Sequence, residues 1–139
     1  MRVLFDTSAL YKRYNLEAGR DRVMALAAEA REICVAAHCK AEIASALNRQ
    51  RHDGLIVLDD YTRIMSVVQR EFAEFNILPL DRKAEAMAIA AMERARLRAM
   101  DALHIGAAQT GDVDLFVTAD RKQAQAAQAL GLKTELIEA

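Results

Sequence analysis

The stretch VLFDTS at positions 3–8 decides the fold of this 139-residue chain. Its first three residues are apolar and predict a short buried strand, which ends abruptly in Asp6, Thr7 and Ser8. The segment Ser8–Tyr14 predicts a helix that Thr7 or Ser8 would cap. The chain therefore begins with a strand, a tight turn carrying a carboxylate and two hydroxyls, and a helix.

This strand and helix alternation recurs to the end of the chain. Apolar residues at helical spacing predict helices over Asp21–Ala30, His38–His52, Asp59–Phe75, Arg82–Ala99, Asp101–Gln109 and a last segment through Leu130 that Gly131 would cap. Short apolar runs predict further strands over Ile33–Ala36, Ile77–Leu80, Asp114–Thr118 and Thr134–Ile137. Strands separated by helices require parallel pairing through right-handed crossovers. We therefore expect an α/β domain with helices on both faces of a sheet of about four or five strands.

Composition limits the classes of protein that fit. The length suits a single domain over residues 1–139, and the formal net charge of −1 gives no general attraction to nucleic acid, so any phosphate contact must be local. Two cysteines are too few for a disulfide framework, and no apolar run is long enough to span a membrane. These features predict a soluble, cytoplasmic protein.

Four acidic residues are expected at one edge of the sheet. Asp6 and Asp120 each follow a strand, Asp101 begins a helix, and Glu42 lies in the first turns of another. Singly, each is explained by helix capping or by a solvated helical face. Together, the carboxylates would repel one another unless a cation offset their charge, and oxygen ligands of this kind suit Mg²⁺ or Mn²⁺. Such a site favours phosphate chemistry.

Hydroxyl and histidine side chains flank these acids. Thr7, Ser8 and Thr118 are placed to orient carboxylates or metal-bound water, or else to cap a helix or close a turn. His104, three residues after Asp101, is placed to position a water or pair with an acid, or to lie buried with its polar atoms satisfied.

Basic residues also lie beside the acids, and the cysteines lie near a histidine. Arg98 and Arg121 are candidates to contact an extended phosphodiester, although solvated helix faces explain them equally well. A zinc site of Cys34, His38 and Cys39 lacks a matched fourth ligand, so buried free thiols are the better interpretation.

Four blocks of the sequence together resemble the PIN-domain family, and within it the VapC-type toxins of bacterial toxin–antitoxin pairs. The blocks read MRVLFDTSALYKRY (1–14), CKAEIASALNR (39–49), LRAMDALHIGAA (97–108) and DLFVTADRK (114–122), so the resemblance spans nearly the whole chain. It implies a PIN-like three-layer α/β/α fold with a mainly parallel sheet. It also implies a Mg²⁺-dependent endoribonuclease, with Mn²⁺ able to substitute.

The resemblance assigns roles position by position. Asp6 and Asp101 match the principal metal ligands of the family, and Glu42 and Asp120 match the other two acids of its catalytic quartet. Asp120 would join the metal ligands, whereas Glu42 would complete the metal shell or orient water. Thr118 matches the often polar position just before the last acid. The chain lacks the further acid that some members carry after that position.

The resemblance also implies partners: an RNA substrate, a cognate antitoxin protein and a second copy of the chain in a homodimer. The amphipathic helices Asp21–Ala30 and Asp59–Phe75 are candidate antitoxin-facing surfaces, and core burial explains their apolar stripes equally well.

Two other functional classes stay open at this stage. One is a non-catalytic PIN-like module that binds a protein partner. The other is a phosphoryl-transfer domain in which Asp6 is the nucleophile. The sequence disfavours the second because Ser8 stands where a haloacid-dehalogenase-like phosphatase carries its second aspartate.

Overall fold

A computed structural model describes residues 1–138 of the chain. Its strands are β1 Arg2–Phe5, β2 Glu32–Ala36, β3 Asn76–Leu78, β4 Leu115–Thr118 and β5 Thr134–Leu136. Its α-helices are α1 Thr7–Leu10, α2 Arg20–Glu29, α3 Cys39–His52, α4 Leu58–Phe72, α5 Arg82–Arg94, α6 Ala99–Thr110 and α7 Arg121–Ala129, and a 3-10 turn at Tyr11–Arg13 extends α1. This alternation confirms the predicted α/β class.

The five strands form one sheet in the order β3-β2-β1-β4-β5, and every neighbouring pair is parallel. Val3 of β1 is in register with Leu115 of β4, and Phe5 with Val117. The chain moves outward from β1 through β2 to β3, and then returns to the other side of β1 for β4 and β5. The strand order therefore reverses between β1 and β4, where parallel sheets open a crevice at their carboxyl ends.

The sheet has an apolar core on each face, as the predicted three-layer fold requires. Alternate residues of β1 face opposite ways: Val3 and Phe5 pack with α1 to α4, whereas Leu4 packs with α5 to α7. All three side chains are completely buried. The apolar stripes of α2 and α4 contribute to the first of these cores through residues such as Val23 and Val68, so core packing accounts for the buried part of each stripe.

Local differences from the predicted elements have physical causes. The first helix begins at Thr7, and its cap is Asp6, not Thr7 or Ser8, because the Asp6 carboxylate accepts a hydrogen bond from the Ala9 N–H. Helix α5 ends at Arg94 instead of continuing to Ala99, since Ala95 is extended. Strand β3 is an edge strand that stops before Pro79, as expected for a residue without an N–H to donate.

Helices α5 and α6 pack closely around Gly106. A Cβ atom built on Gly106 would lie 2.3 Å from the Ala84 carbonyl oxygen and 3.1 Å from the Ala88 nitrogen. Only a residue without a side chain allows this approach. The contact fixes α6, which carries Asp101 and His104.

Two further predictions concern residues away from the sheet edge. Cys34 and Cys39 are both buried free thiols. Gly131 follows α7 with a φ of 88°, the left-handed conformation of a helix-ending glycine. Within residues 1–138, no helix is both long enough and apolar enough to cross a membrane.

Candidate active site

An open cleft of about 690 Å³ lies at the carboxyl edge of the sheet, where the strand order reverses. All four predicted acids line it: Asp6, Glu42, Asp101 and Asp120. Thr7, Ser8, Arg98 and His104 line the same cleft. Two other predicted residues do not: Thr118 is completely buried, and Arg121 is exposed and pairs with Glu138.

Asp6 is a buried carboxylate at the end of β1, with only 3% of its surface exposed. Its Oδ1 accepts hydrogen bonds from Ser8 Oγ at 2.7 Å and from the Ala9 N–H at 3.0 Å. Its Oδ2 accepts one from Thr118 Oγ1. Burial raises the pKa of Asp6 above its ordinary value, although the nearby His104 and these hydrogen bonds act in the opposite direction. Within residues 1–138, no Lys or Arg forms an ion pair with Asp6.

Hydroxyl groups connect Asp6 with the end of β4. Thr118 Oγ1, besides donating to Asp6, accepts from the Asp120 N–H at 3.1 Å, and Ser8 Oγ accepts from the Ala119 N–H at 3.0 Å. Asp120 also caps α7, since its Oδ1 accepts from the main-chain N–H groups of the second and third residues of that helix. Asp120 therefore combines the capping role with a position on the cleft.

Glu42 lies in the first turn of α3 and is not a solvated helical face. Its Oε1 accepts a hydrogen bond from Thr7 Oγ1 at 2.6 Å and lies 2.7 Å from Nε2 of the buried His104. Burial raises the pKa of Glu42, but the hydrogen bonds from His104 and Thr7 outweigh it, and the pKa falls below its ordinary value. Thr7 and His104 thus fix the orientation of this carboxylate, and His104 pairs with an acid.

Asp101 is the third residue of α6, slightly inside the helix start that the sequence suggested. Arg98 precedes the helix, and its Nε lies 3.5 Å from Asp101 Oδ2. The main-chain carbonyl of Asp101 accepts a hydrogen bond from Gln123 Nε2 at 2.8 Å, which ties α6 to α7. Arg98 is largely exposed, with 87% of its side chain accessible.

The structure brings together a second group that sequence reasoning missed. His38, Glu42 and His104 each offer one donor atom within 4.8 Å of the other two, and within residues 1–138 they form the only such set of three His, Cys, Asp or Glu residues. The predicted ligands Asp6, Asp101 and Asp120 also line the cleft, but their carboxylate oxygens do not all lie within 4.8 Å of one another. Capping contacts hold Asp6 and Asp120 at the starts of α1 and α7. The missed signal was the four-residue separation of His38 and Glu42 on one helix face.

Sequence reasoning also missed several cleft residues. These are Tyr11, Glu17, Ser45 and Arg49, and the basic residue Lys12 also lines the cleft. Arg49 follows Glu42 by seven residues, about two helical turns, so helical periodicity was the available signal.

The donor chemistry of the cleft fits a hard divalent cation. A carboxylate oxygen accepts about two hydrogen bonds or ligand contacts, so Asp6 Oδ2, which has one, keeps a position free for a metal. Asp101 and Asp120 add further carboxylate oxygens, the ligands that Mg²⁺ prefers. A cation would also offset the cost of keeping Asp6 ionised while buried.

Comparison with known proteins supports the same fold. The solved structures similar to this chain include FitAcB from Neisseria gonorrhoeae, with 16% identity, a TM-score of 0.74 and 95% of each chain covered. VapC20 from Mycobacterium tuberculosis, described as a Sarcin-Ricin loop cleaving toxin, has 16% identity, a TM-score of 0.69 and coverage of 94% of this chain and 95% of its own. VapBC2 from Rickettsia felis, solved with a promoter DNA fragment, has 13% identity, a TM-score of 0.71 and 98% of each chain covered.

Sequence comparisons give the family directly. A search of curated proteins found no match. The family model of the PIN domain, however, matches residues 3–129, which is most of the chain. The chain belongs to the PIN-domain family.

Proposed function

We propose that this protein is a Mg²⁺-dependent endoribonuclease, the VapC-type toxin of a bacterial toxin–antitoxin pair. One observation supports this proposal above the others: four acids line one open cleft, and the buried Asp6 has no Lys or Arg counter-ion within residues 1–138. Asp6, Asp101 and Asp120 hold the ion, and Mn²⁺ substitutes for Mg²⁺. The bound metal supplies Lewis-acid stabilisation of the charge that develops on the attacked phosphodiester.

The protein's own residues prepare the cleft for hydrolysis. Ser8 and Thr118 fix both oxygens of Asp6 before any ligand arrives, so the carboxylate does not reorient on binding. Glu42, held by Thr7 and His104, faces the same cleft and orients the attacking water. The low pKa of Glu42 keeps it ionised at neutral pH, where it accepts a hydrogen bond from that water.

A nucleic-acid phosphodiester is the substrate class that the basic residues favour. Lys12, Arg49 and Arg98 line the cleft with the acids, and because the net charge of the chain is −1, phosphate attraction has to come from local basic groups such as these. Arg98 is exposed at the cleft, whereas Arg121 lies outside it and pairs with Glu138. The similar structure of VapC20 is described as a toxin that cleaves the Sarcin-Ricin loop, which agrees with an RNA substrate.

The proposed partners are a cognate antitoxin and a second copy of the chain, acting in the cytoplasm. Support for the antitoxin comes from the similar structures, which include a toxin–antitoxin complex from Klebsiella pneumoniae and VapBC from Salmonella typhimurium bound to DNA. Val23 of α2 and Val68 of α4 pack in the core, whereas Tyr61, Ile64 and Met65 of α4 are only partly buried. Helix α4 therefore keeps some apolar surface for contact with an antitoxin.

Two alternatives make different predictions. A phosphoryl-transfer domain would leave an acid-labile phosphate on Asp6 after treatment with a phosphoryl donor, but Asp6 is buried and accepts three hydrogen bonds, which suits a ligand better than a nucleophile. A non-catalytic binding module would gain no thermal stability from Mg²⁺ or Mn²⁺.

Mapping of RNA 5′ ends after induced expression tests the proposal in cells. Wild-type protein should produce new ends at defined sites, and Asp101→Asn should not, since the amide keeps the shape of the side chain but loses its charge. An identical set of 5′ ends in induced and uninduced cells would favour the binding module.

A further inference from the structure

We infer that His38, Glu42 and His104 form a second metal site, selective for Zn²⁺ and similar transition metals, beside the acidic cleft. None of these three residues is a proposed Mg²⁺ ligand, and only Glu42 also has a proposed role in the cleft, where it orients water. Imidazole nitrogen with a single carboxylate suits Zn²⁺, whereas Mg²⁺ prefers oxygen ligands alone. Three protein ligands and an open position form a common zinc arrangement.

The spacing of the donor atoms supports this site. Glu42 Oε1 lies 2.7 Å from His104 Nε2 and 3.5 Å from His38 Nε2. Ligand atoms around a tetrahedral Zn²⁺ with bonds of 2.0–2.1 Å lie about 3.3 Å apart, so small side-chain movements bring these atoms to the required positions. The two imidazole rings already lie side by side, with their centres 4.2 Å apart.

The position of the three residues in the fold makes the arrangement rigid. His38 immediately precedes α3 and Glu42 lies one turn later, so both project from the amino-terminal end of the same helix. His104 comes from α6 and is 1% exposed. His38 Nε2 also lies 2.9 Å from the Met100 carbonyl oxygen, which joins the beginnings of α3 and α6 at this point. Glu42 and His104 line the open cleft, which gives a cation access.

Each of the two imidazole rings also has one unsatisfied nitrogen. Nδ1 of His38 and Nδ1 of His104 are both buried, and neither has a hydrogen-bond partner among residues 1–138. In the metal-free protein, Nε2 of each ring carries the hydrogen, because His38 donates to the Met100 carbonyl oxygen and His104 donates to the Glu42 carboxylate. Metal binding at Nε2 replaces these two hydrogen bonds with metal bonds, and each ring then carries its hydrogen on Nδ1, where it displaces no existing bond.

Occupation of this site has a consequence that rests on the proposed function. Glu42 bound to Zn²⁺ cannot orient a water in the cleft, so Zn²⁺ should inhibit Mg²⁺-dependent cleavage. The site would thus make the toxin sensitive to transition metals, separately from any antitoxin.

Titration of the purified, metal-free chain with Zn²⁺ alone tests the site without any measurement of activity. Calorimetry should show that one Zn²⁺ per chain binds at this site. The dissociation constant for Zn²⁺ should rise at least tenfold in His38→Ala. His104→Gln provides a second ligand variant with circular dichroism as its check of folding. His52→Ala is the matched control, because His52 is the remaining histidine of the chain and lies exposed at the far end of α3.

Comparison with a variant of the acidic cleft separates this inference from the proposed function. Asp120→Asn, which keeps a side chain able to cap α7, should retain Zn²⁺ binding, and Co²⁺ should give a visible spectrum that His38→Ala loses. Zn²⁺ binding that Asp120→Asn abolishes and His38→Ala preserves would overturn the inference, as would the absence of binding by the wild type. Zn²⁺ binding at the histidines in a protein that never cleaves RNA would support the site and contradict only the proposed function.

Discussion

Thr118, the last residue of β4, donates its hydroxyl hydrogen to Oδ2 of Asp6, the residue that follows β1. The same hydroxyl accepts the Asp120 N–H, so one buried side chain links the ends of two adjacent strands to two acids of the cleft. Because β1 and β4 are neighbours in the sheet, this link fixes the position of Asp6 relative to Asp120. It also makes Thr118 a direct test of how the cleft is organised.

Thr118→Val should weaken metal binding and cleavage while preserving the volume of the side chain. Asp6 would lose a donor, and its pKa would rise further, which disfavours the ionised ligand. We expect cleavage and Mg²⁺ affinity to fall by about 10–100-fold, and the free energy of unfolding to fall by about 1–3 kcal/mol. Thr118→Ser keeps the hydroxyl and serves as the control. Equal activity in the Val and Ser variants would show that the Thr118 hydroxyl has no role in metal binding or cleavage.

The buried charge of Asp6 predicts a pH dependence of stability in the absence of metal. Its pKa in the folded protein lies above the ordinary value of 3.8, so the folded state binds more protons than the unfolded state between those two pKa values. The free energy of unfolding of the wild type should therefore decrease, relative to Asp6→Asn, as the pH rises from 3.8 through the folded pKa. Denaturant titrations in EDTA at several pH values measure this difference. A difference that does not change with pH would contradict the raised pKa.

Gly106→Ala tests the close packing that holds α6 in place. Alanine is the better helix former by about 1 kcal/mol, so helix propensity alone predicts a more stable protein. The contact with the Ala84 carbonyl oxygen opposes this, because the added Cβ would lie 2.3 Å from it. Overpacking of this kind typically costs 1–3 kcal/mol, so we expect a lower melting temperature. A higher melting temperature would show that α5 and α6 separate easily.

Arg98→Ala should affect RNA binding more than chemistry. Arg98 is exposed and its Nε lies 3.5 Å from an Asp101 oxygen, close enough to contact a phosphate at the cleft. We expect KM to rise with little change in kcat. The plot of the logarithm of the RNA-binding constant against the logarithm of the salt concentration should become shallower by about 0.7 for single-stranded RNA. Arg63→Ala on α4, another exposed arginine three residues from its acid partner, is the control. A fall in kcat with an unchanged KM would assign Arg98 a different role.

The alternation of short apolar runs with helical stretches was sufficient to predict the parallel α/β class. It also placed the four acids at one edge, because strand ends and helix starts meet there in such folds. Element ends were less predictable. The sequence pattern of Arg82–Ala99 stays alanine-rich past Arg94, whereas the structure turns at Ala95.

Contacts between distant segments were harder to predict. The pairing of Glu42 with Thr7 and His104 joins positions 35 and 62 residues apart, and no local pattern indicates which hydroxyl or imidazole a carboxylate will meet. For the same reason, the sequence did not indicate that His38, Glu42 and His104 lie together. In contrast, the position of Asp6 at the cleft was predictable, because it follows a parallel strand and the carboxyl ends of such strands meet at one edge of the sheet.

Cleavage of RNA by the purified protein, with Mg²⁺ and with EDTA, tests the central claim most directly. Wild-type protein and Asp112→Asn should cleave only with the metal; Asp112 is an exposed aspartate that precedes β4, at the opposite edge of the sheet. The Mg²⁺-dependent cleavage rate of Asp6→Asn should be lower than that of the wild type by more than about 100-fold, which is the upper end of the usual effect of removing a hydrogen-bond partner of a metal ligand. The variant should still unfold cooperatively. Undiminished Mg²⁺-dependent cleavage by Asp6→Asn, or wild-type cleavage that survives EDTA, would contradict a metal-dependent site at Asp6.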